Sequence, residues 1–385
     1  MRGLFMIAIL CMFCGVGCYV AHRLRQGIAL FLPAVRFWEV LVAVGILILI
    51  LILSFMRALT PFPKEVKHIL GVAGGYCMGI SLYLLLFMAA ADILLFIPRI
   101  IKLPFTSHHM FNGLVTLCVV ALTAVTCIYG FVHAKHIKHV SYEIELQGKQ
   151  DVSDINIAMI SDLHLGAIGS EKQLKKIVAQ INETNPDVVC IAGDFFDTDF
   201  DAIQEPDIAL EELRNIKATY GVYACLGNHD GGKTFDQMVD FLEKANICIL
   251  EDDYKIIDDR LILIGRLNAS AIGGYGGKQR KQLSDFFVRE NQSLPVVVLD
   301  HDPANINEYG DQADLILCGH THDGHVFPGN LIAKRMYDVS YGYYQKDEQN
   351  PQVIVSSGVG IWGMPMRVGT NCEIVTVQFS AGQSK

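Results

Sequence analysis

Five short polar clusters each end an apolar run in the C-terminal part of this 385-residue chain. They are SDLHLG with Asp162 and His164, AGDFFD with Asp194 and Asp197, LGNHD with Asn228 and His229, LDHDP with His301, and CGHTHDGH with His320, His322 and His325. All six histidines beyond residue 139, of 13 in the chain, fall in these clusters. A sequence using histidine as an ordinary surface residue would scatter it. In extended backbone, residues two apart point the same way. Asp162 with His164, and His320 with His322, can therefore each converge on one point, whereas the neighbours Asn228 and His229 must face apart. Imidazole and carboxylate donors without thiolate suit Mn, Fe or Zn, with Mg less at ease among so many imidazoles. Two adjacent divalent ions can clamp an in-line displacement at phosphorus and turn bound water into hydroxide near neutral pH.

The elements that must position these residues are visible from about residue 152, where short apolar runs alternate with amphipathic segments. INIAMIS (155–161), PDVVCIAG (186–193) and GVYACLG (221–227) predict strands, with further strands at 254–258, 261–265, 295–299, 314–318, 353–357 and 373–379. SEKQLKKIVAQINET (170–184) predicts a helix with Ser170 as N-cap and Leu174, Ile177, Val178 and Ile181 on one face. Two more helices are predicted at 206–217 and 233–245. This alternation predicts an α/β layered catalytic domain over 150–380, with the chemistry on loops at strand ends. No segment repeats.

The first 140 residues are of a different kind. They hold eleven basic and three acidic side chains, a balance of +8, so with −9 overall the remainder carries −17. Four apolar stretches, near 3–21, 38–56, 69–91 and 113–132, are long enough to cross a bilayer core, which takes roughly 20 helical residues. They predict about four transmembrane helices within 1–140 and a multi-pass protein of the cell membrane. With only Arg2 ahead of it and no small-x-small cleavage site, the first stretch reads as a span rather than a signal peptide. Asp92 reads as a headgroup-level residue at the edge of the third span, and HAKHIKH (133–139) as a solvated helix end. Basic loop residues divide six against five between the two faces, so the positive-inside rule leaves the side of the domain open. The −17 domain would repel a polyanion, which excludes nucleic acid as a partner. Its five cysteines (Cys190, Cys225, Cys248, Cys318 and Cys372) lack the even count and regular spacing of a disulfide framework. The stretch 141–159 alternates as a strand rather than a flexible linker, which keeps the domain within reach of headgroups.

The ordered set D-x-H, G-D-x-x-D, G-N-H-D, H and G-H-x-H resembles the calcineurin-like metallophosphoesterase superfamily over roughly 150–380. With SSGVGIWGMPMRVG (356–369) it looks most like bacterial membrane-anchored members similar to UDP-2,3-diacylglucosamine hydrolases. The resemblance implies an α-β-β-α sandwich with two divalent metal ions. One would be held by Asp162, His164, Asp194 and His322, the other by Asp194, Asn228, His301 and His320. Asp194 would bridge both, and His229 would contact the phosphate or protonate the leaving group. Protein Ser/Thr phosphatases carry Arg-Gly after G-D-x-x-D and Glu after G-N-H, where this chain has Thr198-Asp199 and Asp230, which argues against a phosphoprotein substrate. The group's frequent G-H-T-H-G-G-Q is GHTHDGH here, so Asp323 and His325 alter the local substrate contacts. Asp197 reads equally as a loop carboxylate or a participant. Arg280, in the basic stretch GGKQRKQ (276–282), Arg367 and His325 are the candidate substrate contacts.

The expected function is a membrane-bound, dinuclear-metal phosphoesterase that hydrolyses a phosphate or pyrophosphate ester by in-line attack. A lipid-linked substrate and membrane lipids are its expected partners. The alternative is a phosphodiesterase for a soluble substrate, with the spans serving only localisation. Intact ligands and His229 disfavour a non-catalytic sensor. Substrate identity, the physiological metals and oligomeric state are left open by the sequence.

Overall fold

The computed structural model describes residues 2–57, 60–146, 155–169, 171–288 and 293–381, with side chains from residue 14 onward apart from 105, 107 and 381. Ser170, expected as an N-cap, lies outside the described residues. The chain divides after Gly130 into two compact units.

The first unit is helical: α1 (Arg2–Ile28), α2 (Phe37–Phe55), α3 (Lys64–Leu94), the short α4 (Phe96–Ile100) and α5 (His109–His133), whose last turn belongs to the second unit. Among the described residues three helices are long and apolar enough to cross a membrane: α2, α3 and α5, with mean hydropathies of 2.7, 2.0 and 2.3. The expected first span, near 3–21, falls in α1, much of it outside the described side chains. Gly71, Gly74, Gly75 and Gly79 are buried along α3. A Cβ on Gly74 would strike Ser54 of α2, so the two backbones meet at a small-residue face, the usual device where no water drives helices together. Asp92 is paired rather than free: Arg23 Nη1 donates to it at 3.1 Å, Arg99 Nη1 at 2.8 Å, and the Tyr19 hydroxyl donates as well.

The second unit contains β1 (Ile137–Leu146), β2 (Asn156–Ile160), α6 (Glu171–Glu183), β3 (Val188–Ala192), α7 (Pro206–Arg214), β4 (Val222–Cys225), α8 (Phe235–Lys244) and β5 (Ile247–Ile249). There follow β6 (Asp253–Ile257), β7 (Leu261–Gly265), β8 (Val296–Leu299), β9 (Leu315–Cys318), α9 (Gly329–Met336), β10 (Gly342–Tyr344), β11 (Gln352–Val355) and β12 (Cys372–Ala381). They build two six-stranded sheets, ordered β1-β12-β2-β3-β4-β5 and β10-β11-β9-β8-β7-β6. Only β12–β2, β6–β7 and β10–β11 pair antiparallel. Strand β1 pairs along its whole length with β12, so the sheet begins ahead of residue 150.

Alternate residues divide between cores. Ile157, Met159 and Cys190 of the first sheet share one cluster with Leu263, Leu299 and Leu317 of the second, so the sheets pack face to face. The opposite face of the first sheet, with Ala158, Ile160 and Ile191, is covered by the apolar stripes of α6, α7 and α8. All positions of β3, β7, β8 and β9 are buried, which explains why their sequences are unbroken apolar runs rather than alternating ones. The fourth layer departs from the expected helices. Ile264, Val298 and Ile316 are capped by Phe287, Ile306 and Tyr309, from loops and short 3-10 turns. The connection from β8 to β9 is filled by two 3-10 turns, Pro303–Glu308 and Gly310–Gln312, with Gly310 at a φ of 51° where the second begins.

Candidate active site

Every candidate ligand lies just beyond the C-terminal end of a strand. Asp162 and His164 follow β2, Asp194 follows β3, Asn228 and His229 follow β4, His301 follows β8, and His320 and His322 follow β9. Parallel registers (Ile160 with Ile191, Ala192 with Cys225, Leu299 with Leu317) bring these exits to a common edge, where open α/β sheets bind ligands.

The backbone turns sharply there. Asp162, His164, Asp194, His320 and His322 have φ of 55°, 48°, 55°, 71° and 50°, in the left-handed region that L-residues seldom occupy. Such residues persist only where their surroundings over-determine them. The motif glycines are part of that surrounding. A Cβ on Gly227 would collide with Asp194 Oδ1, and one on Gly319 with Asp162 Oδ2, so the G of G-N-H and of G-H-x-H is the gap that admits a carboxylate.

Two donor groups result. Asp162, His164 and His322 offer ligand atoms all within 4.8 Å of one another, as do Asp194, His301 and His320. His164 Nε2 is 3.1 Å from His322 Nε2, and Asp162 Oδ1 is 3.4 Å from the latter. On the other side Asn228 Oδ1 lies 3.1 Å from His301 Nε2 and 2.8 Å from His320 Nδ1. Asp194 Oδ2 reaches both groups, 3.6 Å from His164 Nε2 and 3.2 Å from His301 Nε2.

Burial sets the charges. It holds His164 down to about 3, and it takes His322 well below its ordinary value with help from the Arg367 guanidinium, so both imidazoles are neutral donors. Asp162 is pushed up to about 6 by burial. Burial would lower His301, but Asp194 and Asp162 outweigh it and raise that imidazole to about 10. Asp194 is lowered, its own burial overcome by His301. Imidazole nitrogens and carboxylate oxygens thus converge within each group, a donor set that suits divalent ions. His164 Nδ1 is buried without a hydrogen-bond partner.

His229 stands beside the pair. Its backbone N–H donates to Asp194 Oδ1 at 2.8 Å, while its Nδ1 lies 2.7 Å from Thr198 Oγ1. Asp197 joins His164 and His229 in a third close group. The rings of His164 and Trp362 meet that of His229 edge-on, with centroids at 5.0 and 5.6 Å, and Trp362 is 43% exposed. Three neighbours were given no role in the site from sequence. Thr198 has a φ of 66°, severe for a β-branched residue. Asp230 is fully buried and accepts from Phe196 N and Gly227 N, tying the β3 and β4 loops together. Asp300, next to His301, accepts from Tyr309 and Arg280. Thr198 and Asp300 adjoin the motifs and Asp230 closes G-N-H-D, but nothing in their residue types gave these contacts.

The three expected substrate contacts all bond to groups of the protein itself. Arg280 spends its guanidinium inside the fold, on Asp300 Oδ2 and Glu308 Oε2 at 2.7 Å each and on Leu267 O at 2.9 Å. Arg367 is fully buried and donates to His322 O, Ser357 O and Gly360 O, which fixes the His322 loop. His325 is buried and donates from Nε2 to Met364 O at 2.9 Å. Carboxylates hold Arg280, and backbone carbonyls hold Arg367 and His325.

Residues 155–324 match the model of the calcineurin-like phosphoesterase family. An uncharacterized metallophosphoesterase of Helicobacter pylori is 29% identical over 227 residues, which cover 57% of this chain and 58% of that protein. One of Campylobacter jejuni is 31% identical over 227 residues, 58% of each. A Danio rerio transmembrane protein with a metallophosphoesterase domain is 28% identical over 329 residues, 80% of this chain and 74% of that one. The chain thus spans little more than half the length of the two bacterial relatives. Motif order, paired sheets and these relatives agree in likening residues 155–324 to the calcineurin-like metallophosphoesterases.

Proposed function

We propose that this protein is a multi-pass membrane phosphoester hydrolase that holds two divalent ions and acts on a phosphate or pyrophosphate ester carried by a lipid. The observation that carries the two-ion reading is Asp194 Oδ2, within 3.6 Å of a donor in each group. Asp162, His164 and His322 would hold one ion, Asn228, His301 and His320 the other, and Asp194 both. Such ions supply Lewis-acid activation of water and neutralise charge at phosphorus.

The remaining chemistry belongs to side chains. The Thr198 hydroxyl accepts from His229 Nδ1–H, which leaves Nε2 to give its proton to the departing oxygen. Asp194 fixes the His229 backbone, so acid and donor groups keep one geometry. Trp362 offers an apolar wall at the rim.

The lipid reading rests on the tether. Three residues, Ala134 to His136, separate α5 from β1, and His133 Nε2 lies 3.1 Å from Asn371 Oδ1. A substrate confined to the same membrane gains effective concentration from such a tether; a soluble metabolite gains nothing. The GIWGMPMRVG segment and the helices favour the membrane-anchored subgroup similar to UDP-2,3-diacylglucosamine hydrolases.

The test compares matched lipid-linked and soluble phosphoesters, using the full chain in vesicles, metal-depleted and then supplied with Mn²⁺, with Asp194→Asn as blank. Metal-dependent turnover favouring the lipid ester is expected. Turnover of the soluble ester alone would make the helices a localisation device, and turnover indifferent to metal would remove the two-ion reading.

A further inference from the structure

The helix α9 turns its apolar residues outward. Leu331, Ile332 and Met336 are 52, 59 and 70% exposed, and of its eight residues only Ala333 is buried. Lys334 and Arg335 are exposed in its last turn. No acidic residue occurs from 324 to 337, although residues 141–385 carry −17. A contiguous apolar and basic tip on an acidic domain marks an interaction surface.

Its roots lie in the active site. The excursion leaves directly after His322 and returns at Tyr337, whose ring meets that of His320 edge-on at 6.2 Å. Thr321 Oγ1 donates to Ser340 O at 2.6 Å and closes the base. Phe327 N donates to Val368 O at 2.7 Å, which ties the near end of the excursion to the segment bearing Trp362. The tip is therefore held firmly at both ends while its own residues face solvent.

We infer that α9 is a bilayer-docking element, entering the headgroup layer of an anionic membrane with Leu331, Ile332 and Met336 while Lys334 and Arg335 meet lipid phosphates. An outward apolar face edged by lysine and arginine is the composition of interfacial helices. The sign of its charge, opposite to that of its own domain, fits an anionic surface, and the exposed Leu331, Ile332 and Met336 beside it fit a lipid one. The inference rests on the reading of α2, α3 and α5 as membrane spans, which supplies the bilayer. It adds that the site itself is pressed to the lipid, so a headgroup phosphate is presented beside His320 and His322.

The experiment uses full-length protein in vesicles of phosphatidylcholine and phosphatidylglycerol containing brominated acyl chains. The chain has two tryptophans, Trp38 and Trp362. Trp362→Phe leaves Trp38, in α2, to report the spans. Trp38→Phe with Trp362→Phe and Ile332→Trp puts the lone reporter on α9. Bromine quenching of both reporters is expected. A further Lys334→Gln should weaken the anionic-lipid dependence of the α9 signal roughly fivefold. Quenching of Trp38 without quenching at position 332 overturns the docking and leaves the spans standing. No quenching of either overturns the spans. Loss of the position 332 signal that follows protein density rather than lipid composition assigns the surface to a second copy of the chain and overturns the proposal. Trypsin cleavage of the unmutated chain after Lys334 and Arg335 provides a measurement free of folding effects. Protection by phosphatidylglycerol that salt reverses supports docking, and equal cleavage with and without it refutes docking.

Discussion

Replacing Thr198 by Val removes one hydroxyl and little else. Valine keeps the β-branch and volume at a position already held at a φ of 66°, so the loop should survive. What is lost is the 2.7 Å contact between Oγ1 and His229 Nδ1. The His164 and Trp362 rings pack edge-on against His229 and look much the same to either flip of the imidazole. The hydroxyl therefore decides which nitrogen faces the leaving group. For the acid role proposed above, losing a hydrogen bond to a proton-donating group costs about 1.5–3 kcal/mol, or roughly 10- to 150-fold in rate. Turnover of an alkyl phosphoester, whose leaving group needs a proton, should fall by that factor, and that of a p-nitrophenyl ester much less. Thr198→Ser should recover most of the loss. Metal content by elemental analysis should stay at the wild-type level in both variants. Equal losses on good and poor leaving groups, or no rescue by serine, would refute the reasoning that Thr198 orients an acid.

Other outcomes follow from the same geometry. Asp194→Asn should abolish hydrolysis and leave at most about one ion per chain by elemental analysis, because an amide cannot bridge as an anion does. Arg280→Met should lower stability by roughly 3–5 kcal/mol in a denaturant melt, since the fully buried Asp300 loses its cation; an unchanged midpoint would show the pair to be dispensable. Metal uptake at pH 7 should release about one proton per chain. His301, held near 10 against the pull of burial by Asp194 and Asp162, must become neutral to bind. Affinity should therefore rise with pH up to that value, and calorimetry in buffers of different ionisation enthalpy would detect the proton.

The active-site edge was legible because an apolar run that stops at an imidazole or carboxylate has no packing reason to do so. INIAMIS before Asp162 and VVCIAG before Asp194 show this directly, as both become buried strands. Long-range partners were not legible. Arg280 reads as a free cation until the fold brings Asp300, Glu308 and Tyr309 around it, and Arg367 until three carbonyls close on it. Strands β5 and β10 have three residues each, too few for a period to register. Helix α9 escaped because periodicity reveals a helix through the face it buries, and this one buries Ala333 alone. A left-handed threonine at 198 leaves no trace in residue type at all.

The pairing of β1 with β12 has a consequence in time. Ten residues of β1, from Ile137 to Leu146, find their partners only between Cys372 and Ala381. At roughly 5–20 residues per second of synthesis, β1 waits for about 10–50 s after it leaves the ribosome. During that interval it is an open strand edge, a template for wrong pairing. Lys138, His139, Glu143 and Glu145 along it supply the charges that blunt such an edge. Yield in expression should accordingly depend on how quickly the last strand is delivered, and synonymous pausing between codons 147 and 372 should harm it more than pausing of the same length ahead of codon 137.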